Sequence, residues 1–316
     1  MAHKIILDTD PGIDDSFAIA YAIAHPEVEL LALTTIYGNV TIDQATENAL
    51  KILNAFDGQA DVARGEAKPL VITANTPSDY VHGANGVGGY EFPETSNKEH
   101  DLSAAEYIVK AVNENPGEIT ICAVGPLTNI AKALELDPTI TSKVKEIVVM
   151  GGAVFHVGNV TPVAEANIWN DPHAADIVFA ADWPLTLAPM DCTMPVTFNN
   201  DDLQMLAKAN PKMGIPLEAM SEFYINFYRN AAGLTGLVPH DVMALMWITA
   251  PGTFNIRKGA LVTANDGPSI GQTLFLASGD QTMSDAFVGR PNHNVLVGTD
   301  VGMFRSNYFS TLVAAG

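Results

Sequence analysis

Four aspartates, Asp8, Asp10, Asp14 and Asp15, fall within the eight-residue segment DTDPGIDD. Pro11-Gly12 between the pairs forces a turn that can fold the later pair back toward the earlier one. Asp14 and Asp15 also fall near a helix start, where the helix dipole tolerates negative charge. Capping therefore explains one or two of the four, but not all. Counter-charges are missing: residues 5–50 contain no Lys or Arg and eight carboxylates. Crowded carboxylates must take up protons, borrow a distant cationic side chain or bind a metal. Aspartate oxygens are hard ligands that favour Ca²⁺ or Mg²⁺ over zinc, and we favour a divalent cation.

A second stretch, residues 146–207, again lacks Lys and Arg and holds eight acidic residues, which argues against a phosphorylated substrate. Within it, EANIWND sets Glu165, Asn167 and Asn170 near a predicted helix start, with Asn159 in the glycine-containing loop before them. Carboxylates and amides of this kind suit a neutral polyol such as a sugar. Turn and capping roles compete for about half of them. In VPHDVMALMWI, Asp241 is the only charged residue between Arg229 and Arg257. So apolar a helix start makes it either an N-terminal cap or a cation ligand, because unpaired burial is costly. His240 beside it is a candidate general acid or base, or a structural histidine.

The elements that must hold these residues alternate. Strand-like runs at 4–8, 28–37, 118–124, 146–150 and 185–189 are interleaved with helical patterns at 13–25, 41–56, 103–113, 126–136 and 171–180. This predicts an α/β fold with a mostly parallel central sheet flanked by helices, as one domain over residues 1–316. Helical patterns follow at 201–209, 213–229 and 241–249, then β-rich runs at 260–264 and 271–276 and a closing strand at 294–297. Long loops are expected at 66–100 and 151–165. In an open parallel sheet such loops surround the ligand beyond the carboxyl ends of the strands.

Composition narrows the partners. A chain of 316 residues with 47% hydrophobic content can bury a large core, and its net charge of −20, without a basic cluster, disfavours nucleic acid and anionic membranes. No apolar run reaches the ~18 residues of a membrane span. Two cysteines, Cys122 and Cys192, make no disulfide framework, and MAHKIILD enters a strand at once without a leader pattern. The expectation is a cytoplasmic protein with no membrane or nucleic-acid partner.

Taken together, DTDPGIDD, Asn39 of TTIYGN, AVGPLTNIA, MGGAV followed by GN and AEAN, and PHD at 239–241 resemble the inosine-uridine nucleoside hydrolase family over nearly the whole chain. The resemblance implies a nucleoside substrate and one tightly bound Ca²⁺. Its ligands would be Asp10, a bidentate Asp15, the backbone carbonyl of Val124 and Asp241. Asp10 would also be the general base toward the attacking water. Asp14, Asn39, Asn159, Glu165 and Asn167 would hold ribose hydroxyls, with Met150 against the sugar. An anionic pocket suits such chemistry, since breaking the N-ribosidic bond builds positive charge on the sugar. His240 matches a histidine that can protonate the leaving base, His82 is retained in the substrate loop, and Tyr224 and Tyr228 are base-side lid candidates. A homo-oligomer, dimer or tetramer, is implied as well. Gly88 stands where many relatives carry aspartate, and Ala166 where some carry phenylalanine.

Two other readings start from the same residues. Asp8 and Asp10 after an apolar strand fit the nucleophile and acid of a haloacid-dehalogenase-like Mg²⁺ phosphatase, although that chemistry needs a downstream lysine; otherwise Asp8 orients its neighbours. The pocket also fits a non-catalytic nucleoside- or ribose-binding protein.

Overall fold

A computed structural model describes residues 2–316. Nine strands among them form one sheet: β1 His3–Thr9, β2 Val28–Thr35, β3 Asp61–Arg64, β4 Ile119–Ala123, β5 Glu146–Met150, β6 Leu185–Ala188, β7 Phe254–Thr263, β8 Thr273–Ala277 and β9 Asn292–Thr299. Their order is β3-β2-β1-β4-β5-β6-β9-β7-β8. Every pairing from β3 across to β9 is parallel, and β7 runs antiparallel to both β8 and β9. The expected mostly parallel sheet flanked by helices is therefore present.

The strands read as unbroken apolar runs because both faces are covered. On β1, Ile5 and Leu7 join a layer with Phe17, Tyr21 and Tyr308, while Ile6 faces the opposite layer with Ile121, Ile130 and Val178. Helix Ile13–Ala24, which carries Asp14 and Asp15, is buried from Ile13 to Ala22 and is fixed by that packing.

From β1 the chain builds outward in both directions, so the carboxyl ends of β1 and β4 border a crevice where helices leave to opposite faces. Asp8 pairs with Ala123, and the Val124 N–H donates to the Asp8 carbonyl at 2.8 Å. Asp10 and Val124 thus emerge at neighbouring strand ends.

Three elements depart from the sequence expectation. β7 begins at Phe254 rather than near residue 260, because its residues 255–258 are exposed and carry no apolar alternation. β3 is short and half polar. The C-terminal helix Val301–Ala314 was not expected. Its buried Phe304, Tyr308 and Leu312 keep four-residue spacing, but Ser306, Asn307 and Thr311 interrupt the stripe. Tertiary contact makes this helix: Tyr308 stacks on Tyr21 at 5.7 Å between centroids, and Phe304 packs on Phe198. Among the described residues no helix is long and apolar enough to cross a membrane.

Candidate active site

Beyond β1, the turn Asp10-Pro11-Gly12 delivers the chain into helix Ile13–Ala24. Asp15 closes that turn: its Oδ2 accepts from the Gly12 N–H at 2.8 Å and its Oδ1 from the Thr9 hydroxyl at 2.5 Å. Asn39, at the end of β2, donates its N–H to Asp10 Oδ2 at 2.6 Å and its Nδ2 to Asp15 Oδ2 at 3.0 Å. It therefore ties the two aspartates together, in addition to lining the adjoining cavity. Two glycines make room for Asp10. A Cβ on Gly38 would overlap Asp10 Oδ2, and one on Gly125 would lie 2.8 Å from Asp10 Oδ1.

The carboxylates are packed without compensation. Asp10, Asp14, Asp15 and Asp241 are at most 5% exposed. Oxygens of Asp14, Asp15 and Asp241 lie within 4.8 Å of one another. Burial pushes all four pKa values up, and for Asp10, Asp14 and Asp241 neighbouring carboxylates add to it, Asp15 leading for the first two and Asp14 for the third. Two unit charges at about 5 Å repel by ~3 kcal/mol even at an effective dielectric of ~20. Asp10 Oδ1 and Asp14 Oδ1 are buried with no hydrogen-bond partner. Asp241 opens helix Val242–Thr249 yet makes no capping hydrogen bond, so of its two readings the cap is not realised. No Lys or Arg lines the adjoining cavity. A buried set of hard oxygens with unspent lone pairs and no cationic side chain fits a divalent metal ion.

Asp8 lies apart. Its Oδ1 accepts from Thr34 and Asn129 at 2.7 and 2.8 Å, it is fully buried, and it does not line the cavity. These contacts suit an orienting residue and remove the nucleophile of the phosphatase reading.

The cavity, of about 340 Å³, is the size of a small-molecule site. Twelve of the fourteen site residues expected from sequence line it, and Asp10 and Asp15 lie just behind them, at most 1% exposed. On one side Glu165 caps the short helix Ala166–Asn170, its oxygens accepting from the N–H groups of Asn167, Gly152 and Ile168. Burial raises its pKa against these bonds. Asn167 Nδ2 donates to the Val124 and Met150 carbonyls at 2.8 and 3.2 Å, which leaves its Oδ1 as an acceptor. Asn159 Oδ1 takes the Ala166 N–H at 3.0 Å, which leaves its Nδ2 as a donor. Asn170 stays off the wall and instead accepts from Asn75, tying down the 66–100 loop.

The histidines and tyrosines join the lining beside Asp14. Tyr224 donates to Asp14 Oδ2 at 3.2 Å and lies 3.4 Å from the Tyr228 hydroxyl, which is 2.5 Å from His240 Nε2; His240 Nδ1 is 2.7 Å from the Thr193 hydroxyl. With Asp14 as acceptor, the chain runs one way: Thr193 donates to Nδ1, and Nε2–H donates to Tyr228. His82 Nδ1 accepts the Ile13 N–H at 3.2 Å, so its proton sits on Nε2. Burial lowers both imidazoles to about 3, with a second histidine's charge contributing in each case.

Several residues of this site were not singled out from sequence. Thr9 lies inside DTDPGIDD but acts through a hydroxyl that the aspartates around it overshadow, and Thr193 belongs to no motif. Gly38 and Gly125 were visible inside TTIYGN and AVGPLTNIA, but their role depends on how close Asp10 comes. His156 and Phe227 also line the cavity. Gly88 is at φ +64, and a Cβ there would meet the Met220 carbonyl at 2.5 Å, so an aspartate at this position has no room. Ala166 lies on the cavity wall, where its small side chain widens the space.

Comparison with known proteins agrees with this arrangement. Residues 5–306 match the family model described as inosine-uridine preferring nucleoside hydrolase. The chain is 42% identical over 275 residues to uridine nucleosidase 1 of Arabidopsis thaliana, covering 86% of this chain and 82% of the relative. It is 35% identical over 306 residues to the non-specific ribonucleoside hydrolase RihC of Escherichia coli strain SE11, covering 96% of each. The solved plant nucleoside hydrolase PpNRh1 superposes with a TM-score of 0.95 at 38% identity, covering 99% of this chain and all of the other.

Proposed function

Because the chain belongs to the inosine-uridine preferring nucleoside hydrolase family, a family of enzymes acting on N-glycosyl bonds, we propose that it hydrolyses purine and pyrimidine ribonucleosides to base and ribose with Ca²⁺ bound and Asp10 as general base. The observation that carries this reading is the uncompensated carboxylate cluster at the β1/β4 crevice, opening on a cavity free of Lys and Arg. Asp10, both oxygens of Asp15, the Val124 carbonyl and Asp241 would hold the cation; of these, Asp15 and Asp241 group within 4.8 Å with Asp14, which is close enough to contribute, and Asp10 stands outside that group. When bound, the cation supplies positive charge that acidifies a nearby water and grips vicinal hydroxyls.

The protein's own groups do the rest. Asp10 Oδ1 makes no hydrogen bond and is available for the proton of the attacking water. Asn167 Oδ1 and Asn159 Nδ2 offer an acceptor and a donor to sugar hydroxyls. Asp14 and Glu165 are anionic neighbours that stabilise positive charge as it develops on the ribose. His240 is neutral near pH 7, and its two hydrogen bonds, Nδ1 accepting from Thr193 and Nε2–H donating to Tyr228, hold the ring and the Tyr228 hydroxyl in place on the base side.

The names of the relatives differ in base preference, uridine in one and non-specific in another. We read this chain as accepting both uridine and inosine. A panel of uridine, inosine, cytidine and adenosine with Ca²⁺, followed by release of reducing sugar, tests this; turnover of uridine and inosine is expected, and no turnover of any member refutes it. Gly125→Ala is expected to lower kcat/KM for uridine about a hundredfold by displacing the Asp10 carboxylate. A near wild-type rate in the same assay would show that Asp10 is not held as described.

A further inference from the structure

The cavity has two chemically different ends. One is the carboxylate end, where the nucleoside-hydrolase reading puts the sugar. His240, Tyr228 and His156 also line this cavity, and His156 lies near enough to His240 to help lower the His240 pKa, so the leaving base would lie among them. His156 belongs to none of the motifs discussed above.

His156 sits in the loop between β5 and helix Ala166–Asn170, and that loop is pinned on both flanks. The N–H groups of Val154 and Phe155 donate to the two oxygens of Asp191 at 2.9 and 2.7 Å. The Arg257 guanidinium lies 5.4 Å from the Phe155 ring centre. Beyond His156, the Gly158 N–H donates to the Pro162 carbonyl at 3.1 Å. His156 Nδ1 is 2.8 Å from the Val157 carbonyl oxygen. A carbonyl only accepts, so Nδ1 carries a proton, and in the uncharged form of the ring Nε2 has a bare lone pair.

The other ring and phenol groups of this lining are already committed. Both nitrogens of His240 are engaged, Tyr224 and Tyr228 donate along the chain to Asp14, and His82 offers only a donor. His156 Nε2 is the acceptor among them that remains unspent. We infer that His156 is a specificity-determining residue that accepts a hydrogen bond from a ring N–H of the leaving base. Uracil and hypoxanthine present such an N–H. Cytosine and adenine, of nearly the same shape, present a lone pair at the corresponding ring nitrogen, which would meet the lone pair of Nε2.

Resting as it does on the nucleoside-hydrolase reading, the inference is tested with the isosteric pair uridine and cytidine. Purified protein with Ca²⁺ is assayed for kcat/KM on each, as wild type, His156→Ala and His156→Phe. Wild type is expected to favour uridine, and both variants to lower the uridine-to-cytidine ratio about fivefold, the weight of one partly exposed hydrogen bond. A purely loop-supporting role would lower both substrates alike and leave the ratio unchanged. A ratio unchanged by substitution, or a wild type that favours cytidine, overturns the inference while leaving nucleoside hydrolysis intact. Absence of turnover on either substrate by wild type overturns the hydrolase reading itself.

Discussion

Asp10→Asn is expected to lower kcat for uridine by about a thousandfold while the metal-free protein stays at least as stable as wild type. Both parts follow from one environment. Asp10 is 1% exposed, its Oδ2 takes the Asn39 N–H, and its Oδ1 is unpartnered. An amide cannot take the proton of an attacking water, and losing a positioned general base costs ~10²–10⁴ in rate. The same substitution removes a buried acid whose ionisation the fold opposes, through burial first and the charge of Asp15 second. Sites that strain the fold for function commonly gain stability when the strained group is neutralised. Ribose-release kinetics and thermal melts in EDTA check the two parts. A variant within tenfold of wild type would remove Asp10 from its role, and a metal-free variant that melts well below wild type would show that Asp10 is not strained.

The second large effect concerns cation and pH together. Asp10, Asp14, Asp15 and Asp241 all have pKa values raised above the ordinary 3.8 by burial. Between that ordinary value and the raised ones, the folded state holds more protons than the unfolded chain. Metal-free stability therefore falls as pH rises through this window. A divalent cation competes with those protons and binds more tightly as they leave. With Ca²⁺ at about a hundred times its Kd, the stabilisation is ~2.7 kcal/mol, or about 5 °C in Tm for a chain of this size. The gain in Tm on adding Ca²⁺ is expected to grow toward that figure as pH rises above the ordinary carboxylate range, as read by melts with Ca²⁺ or EDTA at each pH. A gain that shrinks as pH rises would contradict the cation's place among these carboxylates.

Much of the site was legible because its chemistry is carried by charge and local spacing. The stretches without Lys or Arg locate an anionic pocket, and the order of DTDPGIDD, AVGPLTNIA, AEAN and PHD fixes which strand ends contribute to it. What sequence could not give is how close groups come once folded. Asn39, expected to hold sugar, also bridges Asp10 and Asp15, a role set by the meeting of the β1 and β2 ends. Asp10 and Asp15 lie behind the cavity wall rather than on it. The capping option for Asp241 closes only when its side chain is seen to make no capping bond. In the fold, the C-terminal helix escaped notice because its buried aromatics find their partners in remote segments, Tyr21 and Phe198, and local periodicity records none of that.

The most direct test of the central claim, that the carboxylate cluster works by holding a divalent cation for nucleoside cleavage, is uridine hydrolysis by EDTA-treated, dialysed protein titrated with Ca²⁺. The account predicts no ribose release from the metal-free protein and a rate that rises with Ca²⁺ to a plateau at about one ion per chain. A full rate in the metal-free protein, or no uridine cleavage at saturating Ca²⁺, would contradict it.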